Sequence, residues 1–342
     1  MSTSKVTLYV TEFGATLRKR GNRFLVLEEG GDKQEIAACD VNRIIVPTRG
    51  SSISTDAIFL ALENRIPVLM AHRNGKPVGR IASLLEHGTT ALRQAQYEAI
   101  SNEVGRGIAR KFIMGKIINQ SGLLARRALN RKESSPLLAK ELDSIVSKMR
   151  GILNTVESLS DSEVSRDSLR GAEGSAASLY WSGIAKIIPE RYSFEERETR
   201  GAKDLVNSML NYGYAILRSE VLVAVTEVGL DPFAGFLHSP RPGRPSCILD
   251  AMEEMRPVAV DAPLLNLLVR KQIPVYESQA EGRLDKTTRQ TIVESLTEKL
   301  ESEVVYGEER TTLRRVIAKQ AQLLASSLRS PQQDFSYYKA RW

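Results

Sequence analysis

The sequence predicts an α+β chain, with a small N-terminal β-rich domain over residues 1–90 and a larger all-α domain over residues 91–342. Three observations carry this expectation. Residues 5–90 hold short runs rich in β-branched and aromatic residues, parted by turn signals. From Gly88 onward, long segments repeat their apolar residues with the 3.6-residue period of a helix, which places the boundary at about 88–93. The chain also has 342 residues, whereas single hydrophobic cores commonly stop growing at roughly 100–200.

The strand runs are KVTLYV, ATLRKR, RFLVLEE, VNRIIVP, PVLMAH and PVGRIA, separated by RGN, EGGDK, PTRGSS and HRNGK. One helix interrupts them, opening at Ser54 or Thr55 and running through DAIFLALENR. In the second domain the periodicity predicts helices over about 91–118, 121–131, 136–157, 162–187, 202–229, 247–255, 261–269, 285–303 and 310–328. Gly229 ahead of Asp231-Pro232 closes the fifth of these. Ser246 is suited to cap the sixth and Pro257 to stop it, and Asp285 is suited to cap the eighth. No segment repeats at intervals of 20–50 residues, which argues against a solenoid.

With 48 Lys and Arg against 41 Asp and Glu, the chain carries a formal +7, and this favours polyanionic partners through long-range attraction and counterion release. The 2 cysteines, Cys39 and Cys247, form neither a CxxC pair nor a disulfide framework, as expected in a reducing compartment. The N-terminus lacks the layout of a signal peptide. The most apolar stretch, Tyr212–Leu230, is broken by Arg218, Glu220 and Glu227, so it reads as a buried helix rather than a membrane span, and a cytoplasmic location is expected. Dinucleotide-binding glycine fingerprints, the P-loop, HExxH and the GxSxG elbow are all missing from the sequence.

Chemistry-bearing residues concentrate in two segments. In GFLHSPRPGRPSCILDAMEEMRP a loop holding His238 leads into a short helix where Asp250, Glu253 and Arg256 recur every three residues. Hard carboxylate oxygens plus one imidazole suit Mg²⁺ or Mn²⁺ better than a closed zinc site. The same segment also reads as an ordinary capped helix with solvated acids. In LRGAEGSAASLYW, Glu173 stands among Gly171, Ala172, Gly174, Ser175, Ala176 and Ala177, small residues that permit close approach by a ligand or by another packed helix. Arg170, Arg241, Arg244 and Arg256 lie beside these acids, where phosphodiester chemistry needs cations, although Arg256 is equally placed to pair with Glu253. The run GRGIARKFIMGKIINQSGLLARRALNRK, with Arg106, Arg110, Lys111, Lys116, Arg126, Arg127, Arg131 and Lys132, suits a phosphate-tracking surface or a solvated helix face. His72 and His87 have no ligand-like neighbours in sequence and read as structural.

Six ordered segments resemble one family, the CRISPR-associated integrases that insert new spacers into a repeat array with a small partner protein. They are LYVTEFGATLRKRGNRFLV, IIVPTRGSSISTDAIFLALENRIPVLM, ARKFIMGKIINQ, LRGAEGSAASLYW, VNSMLNYGYAILRSEVLVAVTEVGLDPFAGFLH and RPGRPSCILDAMEEMRP, and the likeness runs from about residue 5 to the C-terminus. It implies a β-rich dimerisation domain, a homodimer as the basic unit, and a helical catalytic and DNA-binding domain. Glu173, His238 and Glu253 match the family's metal and catalytic positions, with Asp250 as an alternate ligand or a group that orients the site. The resemblance also implies Mg²⁺ or Mn²⁺ as cofactor, double-stranded and branched DNA as substrate, and Arg170, Arg241, Arg244 and Arg256 near the DNA backbone. Ser178 stands where relatives often carry a larger, frequently basic residue.

The implied reaction is attack by a DNA 3′-hydroxyl on a phosphodiester of the repeat. Water in place of the hydroxyl gives cleavage, and reversal gives disintegration of a branched intermediate. The competing readings are a non-catalytic DNA-binding assembly subunit and a structure-specific nuclease with no integration role.

Overall fold

Strands dominate the first of two compact units, Met1–His87, and helices the second, Gly88–Trp342. The computed structural model describes residues 6–28, 33–46, 50–71, 77–81, 89–160, 163–199, 201–275, 284–330 and 333–342. His72 and His87 lie outside these residues.

The N-terminal unit runs β1 (Val6–Tyr9), β2 (Thr16–Arg20), β3 (Arg23–Leu27), β4 (Lys33–Ala37), β5 (Val41–Val46), β6 (Ser52–Ile53), α1 (Thr55–Glu63), β7 (Val68–Ala71) and β8 (Pro77–Ile81). One sheet has the order β1-β5-β7-β8, parallel except for the β7–β8 pair; the other has the order β4-β3-β2-β6. Ser54 caps α1 by accepting from the Ala57 N–H, which satisfies one of the donors left free at a helix start. Leu8, Leu17, Phe24, Ile44 and Leu60 are fully buried between these elements. The sequence runs missed β4, whose KQEIA is too polar to alternate; it survives as an edge strand paired only with β3, where polar side chains are tolerated.

The C-terminal unit runs α2 (Thr89–Ala99), α3 (Glu103–Leu129), α4 (Pro136–Ser158), α5 (Arg166–Ile187), α6 (Leu205–Glu227), α7 (Ser246–Met252), α8 (Ala262–Val269), α9 (Lys286–Glu301), β9 (Glu303–Tyr306), β10 (Glu309–Thr312) and α10 (Leu313–Arg329). Helix α3 packs on α4 and α5, while α6 packs on α7 and α10, around a core holding Phe112, Ile117, Leu142, Met149, Tyr180, Met209 and Val225. Among the described residues no helix is long and apolar enough to cross a membrane.

Two terminal signals act as the sequence predicts. Gly229, at φ +88°, ends α6: its N–H donates to Thr226 O and that of Leu230 to Val225 O, the paired bonds of a left-handed C-terminal cap. Asp285 caps α9 by accepting from the Thr288 N–H at 2.9 Å.

Five features differ from expectation. The first long helix breaks at 100–102, where the Asn102 side chain accepts from the Val104 and Gly105 N–H groups. Gly105 there passes so close to Ala99 that an added Cβ would stand 1.8 Å from its carbonyl oxygen. Helix α3 then continues unbroken through Ser121-Gly122, with the Trp342 ring covering the bare Gly122 backbone. Ser246 does not cap α7; its hydroxyl donates instead to Ser239 O at 3.1 Å. Pro257 does not end the path of α7 but opens a π-helical turn, Pro257–Asp261, that leads into α8. Finally, a hairpin of β9 and β10 separates the last two helices, because the β-branched VVY run meets Gly307, whose φ of +62° suits a tight turn.

Candidate active site

The site is built on α3, α5 and the segment running from the end of α6 through the π-helical turn. Helix α5 starts with a reciprocal cap between Ser165 and Ser168. Its Arg166 donates to Phe236 O at 3.0 Å and to Ile100 O at 2.8 Å, so the first turn of α5 is tied both to the His238 loop and to the α2–α3 junction. One turn on, Arg170 reaches Ser239 Oγ at 3.3 Å and Leu237 O at 3.5 Å.

Asp250 organises the loop. Its carboxylate, fully buried, accepts the N–H groups of Phe236, Leu237 and His238 at 2.6, 2.9 and 3.0 Å, and its Oδ1 lies 2.6 Å from His238 Nδ1. This approach requires Gly235, where a Cβ would stand 2.8 Å from Asp250 Oδ2 and 2.6 Å from Ser246. Nδ1–H donation to this carboxylate turns the other ring nitrogen, Nε2, away from Asp250. All four contacts engage Asp250 with the His238 loop.

Those two carboxylates converge on one cation. Lys116 Nζ of α3 lies 2.5 Å from Glu173 Oε1 and 2.7 Å from Glu253 Oε2, although the partners stand far apart in the chain. Arg256 pairs with the other oxygen of Glu253 at 3.1 Å, and its guanidinium lies over the Tyr214 ring, 4.9 Å from the centroid. Burial opposes ionisation of Glu253, but Arg256 and then Lys116 outweigh it and hold this carboxyl down at about 2. Burial likewise opposes the charge on Lys116, yet Glu253 and Glu173 keep its ammonium above the usual lysine range.

Behind Arg256, Asp261 accepts hydrogen bonds from the Tyr214 and Tyr180 hydroxyls at 2.6 and 2.8 Å, and burial pushes its carboxyl up to about 6. Glu254 turns the opposite way from Glu253. It accepts the Tyr338 N–H at 2.7 Å, and burial with little compensation pushes it up to about 8. Asn119 of α3 completes this layer, donating to Glu254 O and Tyr338 O and accepting from the Ala340 N–H.

A divalent cation fits this donor set in one respect and is obstructed in another. Glu173 and Glu253 already share a single positive charge, and Glu253 Oε2 is buried with an ion pair but no well-directed hydrogen bond. Among the described residues, however, no three His, Cys, Asp or Glu side chains stand grouped to hold a metal, and the ammonium of Lys116 lies between the two glutamates.

The basic residues separate by environment. Arg241 is exposed on a tight turn that brings it opposite Arg244, with Gly243 at φ +72°. Arg256 is committed to Glu253 and Tyr214. The run along α3 is not the continuous phosphate-tracking face that its composition suggests. Lys116 is buried, Arg127 is bonded to Asn266, Arg110 to Leu159 O and Lys111 to Asp334; of the rest, Arg126 and Lys132 are exposed. Sequence reasoning missed Lys116 as a site residue by counting it with its basic neighbours. The available signal was its isolation, as the sole charge in the otherwise apolar and amide stretch FIMGKIINQ. Around Glu173, Gly171 and Gly174 meet open space, whereas Ala176 is buried in the core and Ala172 packs against it.

The chain is similar to known proteins over most of its length. The family model for CRISPR associated protein Cas1 matches residues 8–298. The CRISPR-associated endonuclease Cas1 1 of Archaeoglobus fulgidus is 33% identical, over 98% of this chain and 99% of its own. A casposase bound to integration product has the same fold, with a TM-score of 0.76 at 24% identity over 98% of this chain and 94% of that one. A Cas6-RT-Cas1–Cas2 complex contains a similar fold, at a TM-score of 0.74 and 22% identity, covering all of this chain and 37% of that one. Matched by the family model over most of its length and by a relative nearly end to end, the chain belongs to the CRISPR-associated Cas1 family.

Proposed function

We propose that this protein is a metal-dependent DNA integrase and endonuclease that joins a DNA 3′-hydroxyl to a phosphodiester of a CRISPR repeat. The observation that carries the reading is the convergence of Glu173 and Glu253 on one cation beside a loop whose histidine is held by Asp250. The names of the relatives support it, since one is an endonuclease and another was captured with an integration product.

Glu173, Glu253 and His238, through Nε2, are the residues that would hold Mg²⁺ or Mn²⁺. When bound, such an ion supplies charge that polarises the phosphodiester and stabilises the attacking or departing oxygen. Asp250 fixes the imidazole tautomer, and His238 is placed to exchange a proton with that oxygen. Arg256 holds Glu253 ionised and oriented, while Arg170, Arg241 and Arg244 supply positive charge toward the DNA backbone. Strand transfer exchanges one phosphodiester for another, so it needs no ATP; water in place of the hydroxyl gives cleavage.

The active form in this reading is a homodimer joined through the N-terminal unit, where β4 and β8 stand at sheet edges, together with a small CRISPR-associated adaptation partner. A non-catalytic DNA-binding assembly subunit is the rival, favoured by the Lys116 contact that already occupies both glutamates. The test is to incubate wild type, Glu173→Ala, His238→Ala and Glu253→Ala with branched DNA under Mn²⁺, Mg²⁺ or EDTA, scoring strand rejoining and cleavage. Metal-dependent rejoining in wild type, lost in all three folded, DNA-binding variants, is expected. Wild type that binds DNA tightly yet stays inert with either metal would establish the assembly role instead.

A further inference from the structure

We infer that Lys116 is a resident counter-ion of the site, held on the two carboxylates that a divalent ion requires, so that metal binds only when the Lys116 ammonium leaves. The inference rests on the metal-site reading of Glu173 and Glu253.

Charge balance supplies the first argument. Glu173 and Glu253 contribute two negative charges, and Lys116 and Arg256 contribute two positive ones, in a pocket where the side chains of Lys116 and Glu253 are 10% and 2% exposed. These four groups therefore carry no net charge, the buried Asp250 carboxylate being engaged by the His238 loop. A divalent ion added without loss of a cation would leave two uncompensated positive charges at low dielectric, where like charges repel strongly.

The second argument identifies which cation leaves. Arg256 is fixed from two sides, by Glu253 Oε1 at 3.1 Å and by the face of Tyr214 at 4.9 Å. Lys116 hydrogen-bonds Glu173 Oε1 at 2.5 Å and meets Glu253 Oε2 as an ion pair without a well-directed hydrogen bond, but among the described residues it lies on no aromatic face, and it carries its charge on a flexible four-carbon stem that can swing away. Lys116 is also the cation that touches both glutamates at once.

The consequence is a protein whose metal-free state is stabilised by its own lysine and whose metal affinity is correspondingly reduced. The experiment is calorimetric titration of Mn²⁺ into wild type, Lys116→Met, Glu173→Ala and the Lys116→Met/Glu173→Ala double variant. Lys116→Met should bind Mn²⁺ about tenfold more tightly or better, about 1.4 kcal/mol or more, and the gain should vanish in the double variant. Wild-type binding that depends on Glu173 but is unchanged or weakened by Lys116→Met overturns the inference and leaves the metal site standing. Absence of binding in every variant overturns both. Should Lys116→Met fail to fold, acetylation of Lys116 in the wild-type protein, read by mass spectrometry, replaces it. Labelling should rise at least about threefold when Mn²⁺ binds and should not rise in Glu173→Ala; unchanged labelling under Mn²⁺ saturation overturns the inference.

Discussion

Replacing Asp250 by Asn tests whether this residue holds the His238 loop or instead binds metal. In the folded protein its two oxygens accept four contacts: Oδ2 from the Phe236 and Leu237 N–H groups, and Oδ1 from the His238 N–H and ring Nδ1. An amide has one acceptor, so its NH₂ faces donors whichever way Asn turns: the Phe236 and Leu237 N–H groups at one position, or the His238 N–H and, in the Nδ1–H tautomer, the ring at the other. Hydrogen bonds to a charged acceptor contribute roughly 1.5–3 kcal/mol each, so losing two costs about 3–6 kcal/mol. Against a typical total of about 5–15 kcal/mol, that is a large fraction of the stability of the unit. The assay is urea unfolding in EDTA, followed by fluorescence of Trp181 and Trp342, the 2 tryptophans of the chain, both in the C-terminal unit. The EDTA condition is decisive, because a residue acting as a ligand would leave metal-free stability unchanged or raise it by removing repulsion. An Asp250→Asn midpoint in EDTA matching that of wild type would show that the loop bonds contribute little, and the positioning argument would fall.

Two further outcomes follow from the same geometry. Glu254 is raised to about 8 from an ordinary 4.5, so the folded state binds its proton more tightly than the unfolded state. Its stabilising effect is full below about 4.5 and is lost as pH rises through 8. Relative to Glu254→Gln, metal-free wild type should therefore lose stability over that window, by about 5 kcal/mol at most; parallel stability–pH curves would refute the burial argument. Arg241→Ala and Arg244→Ala should each weaken DNA binding without abolishing rejoining at saturating DNA, and each should lower the salt slope by about one phosphate contact. Unchanged affinity and slope would remove that turn from the DNA surface.

The amino-acid order by itself carried the features that depend on local rules. The change from turn-punctuated β-rich runs to the 3.6-residue period marked the strand-rich and helical portions, and the caps at Ser54, Gly229 and Asp285 were readable because a cap is an interaction within a few residues. Glu173, His238 and Glu253 stood out as residue types in motifs. What each neighbouring charge does was not readable, since chemically similar Lys and Arg are separated by what lies opposite them. Lys116 looked like Lys132 in sequence, yet one is buried against Glu173, 57 residues away, and the other is solvated. Asp250 and Glu253 share a helical spacing, but the chain packs the His238 loop over the first and α3 over the second, so one accepts backbone N–H groups and the other two cations. The break at 100–102 and the passage through Pro257 were likewise decided by contacts made only after the helices meet. Local hydrogen bonding and periodicity are written along the chain, whereas charge pairing depends on distances that exist only once distant segments pack together.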